Sequence, residues 1–197
     1  MPSGIRGKLY GIASRLGDAP VGKGKDRAFE YTTWANMLKR CYSEKDLVDN
    51  PSYRDKSVCE QWLIYENFYS WCKQVVHKEF GWQLDKDLLV KGNKVYSPET
   101  CVFLPPRING VILRCDKSRG DLPIGIHFDK SRLKYKVTCQ NEFDKQYQKR
   151  FHSLEDAWLC YKTEKERVIK VIAEKYKDEI DPRAYQALIN YTVEITD

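Results

Sequence analysis

Asp85 and Asn109 are the residues whose types best fit chemistry. Each offers a side-chain oxygen, and hard divalent cations are bound through oxygen ligands. They frame the stretch from Gln83 to Val111, QLDKDLLVKGNKVYSPETCVFLPPRINGV. Leu84 is followed by Asp85, Lys86 and Asp87, and a turn is expected at Lys91-Gly92-Asn93-Lys94. Tyr96-Ser97-Pro98-Glu99 is a second turn signal, and Cys101-Val102-Phe103-Leu104 predicts a strand. Pro105 and Pro106 can open a helix, because proline is tolerated in a first turn; Asn109 would lie in it. The expectation is two strands joined by turns and closed by a short helix. This unit would present Asp85 from its first strand and Asn109 from its helix.

The elements before this stretch read as scaffold. Residues 1–29 are rich in Gly, Lys and Arg and show little periodicity. Their Gly17–Gly24 run is a loop by composition and lacks the spacing of a phosphate-binding loop. Over residues 30–42, Trp34, Met37, Leu38 and Cys41 fall at i, i+3, i+4 and i+7, which predicts a helix with one apolar face. A second helix is expected from about Val58 to His77, with Trp62, Tyr65, Tyr69 and Cys72 on one stripe and Phe68, Trp71 and Val75 beside it. Aromatic stripes at helical spacing are most often core. His77, near that helix's end, is a candidate catalytic group, although histidines there more often serve the helix terminus or solvent.

Downstream, residues 114–121 read as a polar, basic linker. Ile124–Phe128 is strand-like, Asp129-Lys130-Ser131-Arg132 is a turn, and Leu133–Cys139 alternates apolar and basic residues as a half-exposed strand should. Lys145–Phe151 predicts a third strand. Ser153 with Asp156 marks a helix start, and Leu154, Trp158, Tyr161, Val168, Ile172 and Tyr176 continue the helix. Asp181-Pro182 begins a last short helix. The outward strand face is expected to carry Lys130, Arg132, Lys134 and Lys136.

The whole chain has 197 residues and a net charge of +6. From Arg107 to Arg150 there are eleven basic residues, among them Arg107, Arg114, Lys117 and Arg119, against five acidic ones. That segment therefore holds the whole excess, and a basic segment beside a candidate cation site suggests a polyanion, with nucleic acid first. The mean hydropathy is -0.64, and no apolar run reaches the length of a membrane span, so a soluble protein without a membrane partner is expected. The first residues, MPSGIRGKLYG, lack the apolar core of a secretory signal. The seven cysteines are scattered with no C-x-x-C pair. They read as buried, reduced thiols rather than a structural zinc site.

The string LDKDLLVKGNKVYSPETCVFLPPRIN resembles the ββα-metal core of HNH endonucleases, of the phage-encoded, homing-endonuclease kind. Trp34-x-x-Met37-Leu38-x-Arg40-Cys41, Val58-Cys59-Glu60-x-Trp62 and Phe68-x-x-Trp71 resemble the upstream part of such proteins. Gly125-Ile126, Tyr135, Phe151, Ser153 and Glu155-Asp156-Ala157 resemble an AP2-type DNA-binding domain. The resemblance spans roughly residues 30–177. It implies an α+β chain: an N-terminal basic loop region (1–29), an HNH-like nuclease domain (30–113), a linker (114–121), and an AP2-like domain of three antiparallel strands plus helix with C-terminal helices (122–197).

The implied activity is site-specific, metal-dependent hydrolysis of phosphodiester bonds in double-stranded DNA, by a monomer in the cytoplasm of a bacterial host. Asp85 matches the family's metal-binding aspartate and Asn109 its helix ligand. Mg²⁺ is the first choice and Mn²⁺ the second, since oxygen-only ligation suits a hard ion. Two positions depart from the pattern. Lys86 stands where the water-activating histidine is expected, and Thr100 where that histidine's orienting Asn is expected. Lysine is a poor general base unless burial lowers its pKa, and it can instead meet phosphate as a point charge. Tyr53, Tyr65, Asp87 and His77 are alternative candidates for the base. The competing reading is a catalytically inactive, repressor-like DNA-binding protein of the same fold.

Overall fold

A computed structural model describes residues 6–75, 78–112 and 122–195. It is an α+β protein that divides into two compact units, Met1–Pro105 and Pro106–Asp197. Among the described residues, no helix is long and apolar enough to cross a membrane.

The first unit opens with an antiparallel hairpin, β1 (Arg6–Leu9) and β2 (Ala13–Arg15). The expected loop is thus partly sheet. Its strands are too short to show alternation, and its anchors are distant in sequence. Ser14 bridges to Ile64, and the Glu66 carboxylate accepts the backbone N–H groups of Leu16 and Gly17 at 2.9 and 2.8 Å. Helix α1 (Phe29–Tyr42) buries Trp34, Met37, Leu38 and Cys41, the face read from the spacing. A short α2 (Glu44–Asp49) follows, capped by the Ser43 hydroxyl.

The long second helix does not form as expected. Ser57–Val58 is instead a strand, β3, and Glu60–Leu63 is a 3₁₀ turn; α3 covers only Tyr65–Gln74. The reason lies in the backbone. The N–H groups of Ser57 and Cys59 donate to Lys94 and Tyr96 carbonyls at 2.8 and 2.9 Å, so they serve a ladder and not a helix. Ile64 is extended at φ -102°, which separates the 3₁₀ turn from α3. Trp62, Tyr65, Phe68 and Cys72 are buried as anticipated, and the Trp34 indole donates to the Trp62 carbonyl at 2.6 Å.

Strand β4 (Gln83–Asp85) precedes β5 (Val95–Tyr96), which pairs in parallel with β3, and β6 (Val102–Leu104). β4 and β6 are antiparallel, with Leu84 opposite Phe103 and Asp85 opposite Val102. Phe103 and Leu104 are buried in the unit's core. The two turns fall where the sequence signals them. Gly92 takes φ +76°, and the Ser97 carbonyl accepts the N–H groups of Thr100 and Cys101.

The second unit begins with α4 (Pro106–Ile112), opened by its proline. Strands β7 (Ile126–Asp129), β8 (Lys134–Gln140) and β9 (Gln146–Phe151) form an antiparallel sheet in that order. Helix α5 (Leu154–Lys175) packs on it, and the Ser153 hydroxyl accepts the N–H groups of Glu155 and Asp156 at 3.1 and 3.3 Å. This is the cap expected from the sequence. The interface holds Ile126, Val137, Cys139, Ala157 and Tyr161. Gly125, at φ +74°, lets the chain pass tightly there: a methyl group would collide with the Tyr161 ring and the Thr138 carbonyl. Helix α6 (Pro182–Ile189) closes the unit, capped by Asp181.

Candidate metal centre and nucleic-acid interface

Asp85 ends β4 with its carboxylate held by its own chain. Oδ1 accepts the N–H groups of Asp87 at 3.0 Å and Leu88 at 2.7 Å. No described residue donates a hydrogen bond to Oδ2, so one carboxylate oxygen is aimed and the other is available to a ligand. Burial pushes the Asp85 carboxyl above its ordinary value, and the neighbouring Asp87 carboxylate adds to that; the Leu88 and Asp87 amides oppose it. A bound cation would be favoured by the same facts, since it would neutralise a charge that burial penalises.

Lys86 is 3% exposed. Its ammonium donates to Asp87 Oδ1 and Oδ2 at 2.7 and 2.8 Å and to the Asn93 carbonyl at 2.9 Å. Three N–H groups therefore meet three acceptors, which compensates the burial of the charge. The ammonium also lies 5.7 Å from the Tyr96 ring centroid. Asn93 completes the tie by donating to the carbonyls of Lys86 and Val95 at 2.9 and 2.7 Å. Lys86 thus pins the loop between β4 and β5. Thr100 has a comparable local task, donating from its hydroxyl to the Val95 carbonyl at 2.9 Å.

Three of the alternative bases, Tyr53, Tyr65 and Asp87, are among the described residues of the first unit. Tyr53 ends a 3₁₀ turn, Pro51–Tyr53, and is half-buried beside Arg40 and Tyr96. Tyr65 is fully buried and donates to the Pro20 carbonyl at 2.6 Å; burial raises its phenol well above the ordinary value. Asp87 is occupied by Lys86. His77 lies outside the described residues, as do Arg114, Lys117, Arg119 and the linker 114–121. Asn109 sits in α4, half-buried and engaged with neighbouring groups, in the second unit. Among the described residues, no group of three or more His, Cys, Asp or Glu side chains is placed to hold a metal ion. Six described cysteines are free thiols.

The basic face of the second unit follows from the pleat. Tyr135, Val137 and Cys139 turn to α5, so Lys134, Lys136 and Thr138 turn away from it. The register sets His127, Lys136 and Arg150 in one row across the three strands and Asp129 opposite Lys134. Asp129 neutralises part of this charge, pairing with Arg132 at 3.1 Å and Arg150 at 3.3 Å. Hydrogen bonding from Ser131, then from Arg132 and Arg150, holds its carboxyl far below the usual range. Among the described residues, Lys134 and Lys136 have no acidic partner. Lys130 and Arg132 lie in the β7–β8 turn and not on the strand face. Arg107 is committed elsewhere in the unit, pairing with Asp144 at 2.6 Å and donating to the Asn141 carbonyl at 2.9 Å. His127 and Arg150 join the face; Arg150 belonged to the charge count without being placed there, and pairing the strands outward from the 140–146 turn would have placed it.

No family model, no curated protein and no solved structure matches this chain.

Proposed function

We propose that the chain is a metal-dependent, site-specific DNA endonuclease of the HNH type, with an AP2-like sheet as its DNA-binding part. The observation that carries the reading is the Asp85 carboxylate, which is oriented by two amides, has one oxygen without a hydrogen bond from the described residues, and lies within the YSPE-containing string. Asp85 would hold Mg²⁺ through Oδ2. Asn109 is its companion ligand by the motif alone. A bound Mg²⁺ supplies positive charge to the scissile phosphate and to the leaving 3′ oxygen. The Asp87 and Leu88 amides keep the carboxylate fixed, so little reorganisation is needed on binding. Lys134 and Lys136 support duplex DNA as the partner, because a sheet with a basic open face can meet the phosphates and major groove.

One observation favours the repressor-like reading. Lys86, at the position of the family's base, has every donor engaged inside its loop. The two readings separate in one assay. Phage and plasmid DNA are incubated with the protein and Mg²⁺ or Mn²⁺, and new ends are mapped by run-off sequencing. The nuclease predicts discrete ends that vanish in Asp85→Ala while gel-shift binding persists. Tight binding without ends, in both proteins, would establish the repressor-like reading.

A further inference from the structure

The first unit contains a cavity of about 540 Å³ that the metal-site reading does not use. Its size lies within the range of small-molecule sites, ~300–1,000 Å³. Its lining comes from the Gly24–Arg27 segment, α1, the approach to β4, and Tyr96. Three cationic side chains, Lys25, Arg27 and Arg40, line it, and none of the described lining residues is acidic. The wall therefore carries uncompensated positive charge and selects an anion. One of these cations is positioned by a ring, the Arg27 guanidinium lying 5.7 Å from the Tyr31 centroid, and Arg40 has the Tyr96 phenol among its neighbours.

The other wall is aromatic. Phe80 is 90% exposed, an unusual state for a large apolar ring, and it lies 6.0 Å from Phe29 at an angle of 52°. A tilted pair of this kind leaves a ring face of Phe80 open to a planar ligand. Asn36, exposed on α1, adds an amide with both donors and an acceptor for a heteroaromatic edge. An anion alone has no use for the open ring, and a neutral aromatic has no use for three cations. A ligand that is both planar-aromatic and anionic uses the two walls together.

We propose that this cavity binds one nucleotide, with its base against Phe80 and its phosphate among Lys25, Arg27 and Arg40. Base–aromatic stacking combined with a cationic backbone contact is the usual chemistry of single-stranded nucleic-acid sites. The nucleotide can be free or part of a DNA strand. Gln83 and Leu84 line the cavity, and Asp85 is the next residue of β4, so a strand seated here would pass close to the carboxylate. The inference rests on the cavity's own chemistry and stands apart from cleavage.

Calorimetry on the full chain without metal tests it, with deoxyadenosine 5′-monophosphate, deoxyadenosine and inorganic phosphate as probes. The nucleotide should bind at least tenfold more tightly than either part. Phe80→Ala, at an exposed position that folding does not need, should weaken the nucleotide at least fivefold and leave phosphate unchanged. Lys25→Gln with Arg27→Gln should reduce the nucleotide to the level of the nucleoside. A second arm uses a single-stranded oligonucleotide carrying 2-aminopurine. A fluorescence change that the free nucleotide competes away assigns the cavity to a strand; nucleotide binding without that change assigns it to free nucleotides. Nucleotide binding no tighter than phosphate, or unaffected by Phe80→Ala, overturns the proposal. Asp85→Ala should bind the nucleotide normally, so failure of cleavage and failure of this site are read separately.

Discussion

The loop between β4 and β5 and the sheet β7–β8–β9 both concentrate charge, but they treat it in opposite ways. In the loop, Lys86 is buried and every donor is satisfied by Asp87 and Asn93. In the sheet, Lys134 and Lys136 face away from α5 with no acidic partner among the described residues, while Asp129 gathers Arg132 and Arg150 at one edge. A lysine whose charge is compensated internally acts on the fold. A lysine left uncompensated on an open face acts on whatever approaches it. Residue type and local density of charge are similar in the two regions; burial separates the roles.

Four substitutions or conditions test this contrast, the first with the greatest effect on the protein. Gly125→Ala strikes the packing under the open sheet. It forces a side chain into a left-handed position and against Tyr161, so stability should fall by ~2–4 kcal/mol in urea melts. Lys86→Met removes the compensated charge. It leaves the Asn93 carbonyl and the Asp87 carboxylate without their donor, and should lower stability by ~1–3 kcal/mol in the same melts. Asp87 is itself half exposed, which keeps the effect below that of a fully buried pair.

Lys134→Ala with Lys136→Ala should leave the urea midpoint within ~0.5 kcal/mol of the parent. DNA affinity should instead weaken by roughly tenfold at moderate salt, and the log–log salt slope should shrink by roughly 2 in fluorescence-anisotropy titrations. If Lys86→Met changed affinity as much and stability as little, burial would not be what separates the two regions. The smallest effect is at Asp129, whose carboxyl is depressed by Ser131, Arg132 and Arg150. A depressed carboxyl stabilises above its unfolded value, near ~4, and loses that contribution as the pH falls through its folded value. The β7–β8 turn should therefore loosen only below about pH 4, and less distinctly at high salt, as followed by amide exchange at Ser131 and Arg132.

Much of the second unit was legible from local signals. Strand alternation, the Ser153 cap and the Asp181-Pro182 start are written within a few residues of where they act. The α1 face was legible for the same reason. What escaped depends on distant pairing. The β3–β5 pair joins Ser57 to Val95, and it turned an expected helix start into a strand. The β1–β2 hairpin is fastened by Ile64 and Glu66, far along the chain. The nucleotide-sized cavity is assembled from separate segments, none of which carries a motif. At the candidate metal centre, Asp85 was legible because its partners are the next few amides. The burial of Lys86 was not, since it requires the loop to return through Asn93. Arg107 belonged to the basic count, yet it serves Asp144 and the Asn141 carbonyl.

Asp85 is proposed to serve phosphodiester hydrolysis, and the open sheet to serve DNA binding. The direct measurement is Mg²⁺-dependent cleavage by the parent and Asp85→Ala proteins on the same DNA, with anisotropy binding recorded in parallel. The parent should give discrete ends, and Asp85→Ala should lose at least ~100-fold in rate while binding within twofold of the parent. Cleavage that survives Asp85→Ala, or a parent protein that binds its site tightly and never cuts, would contradict this assignment.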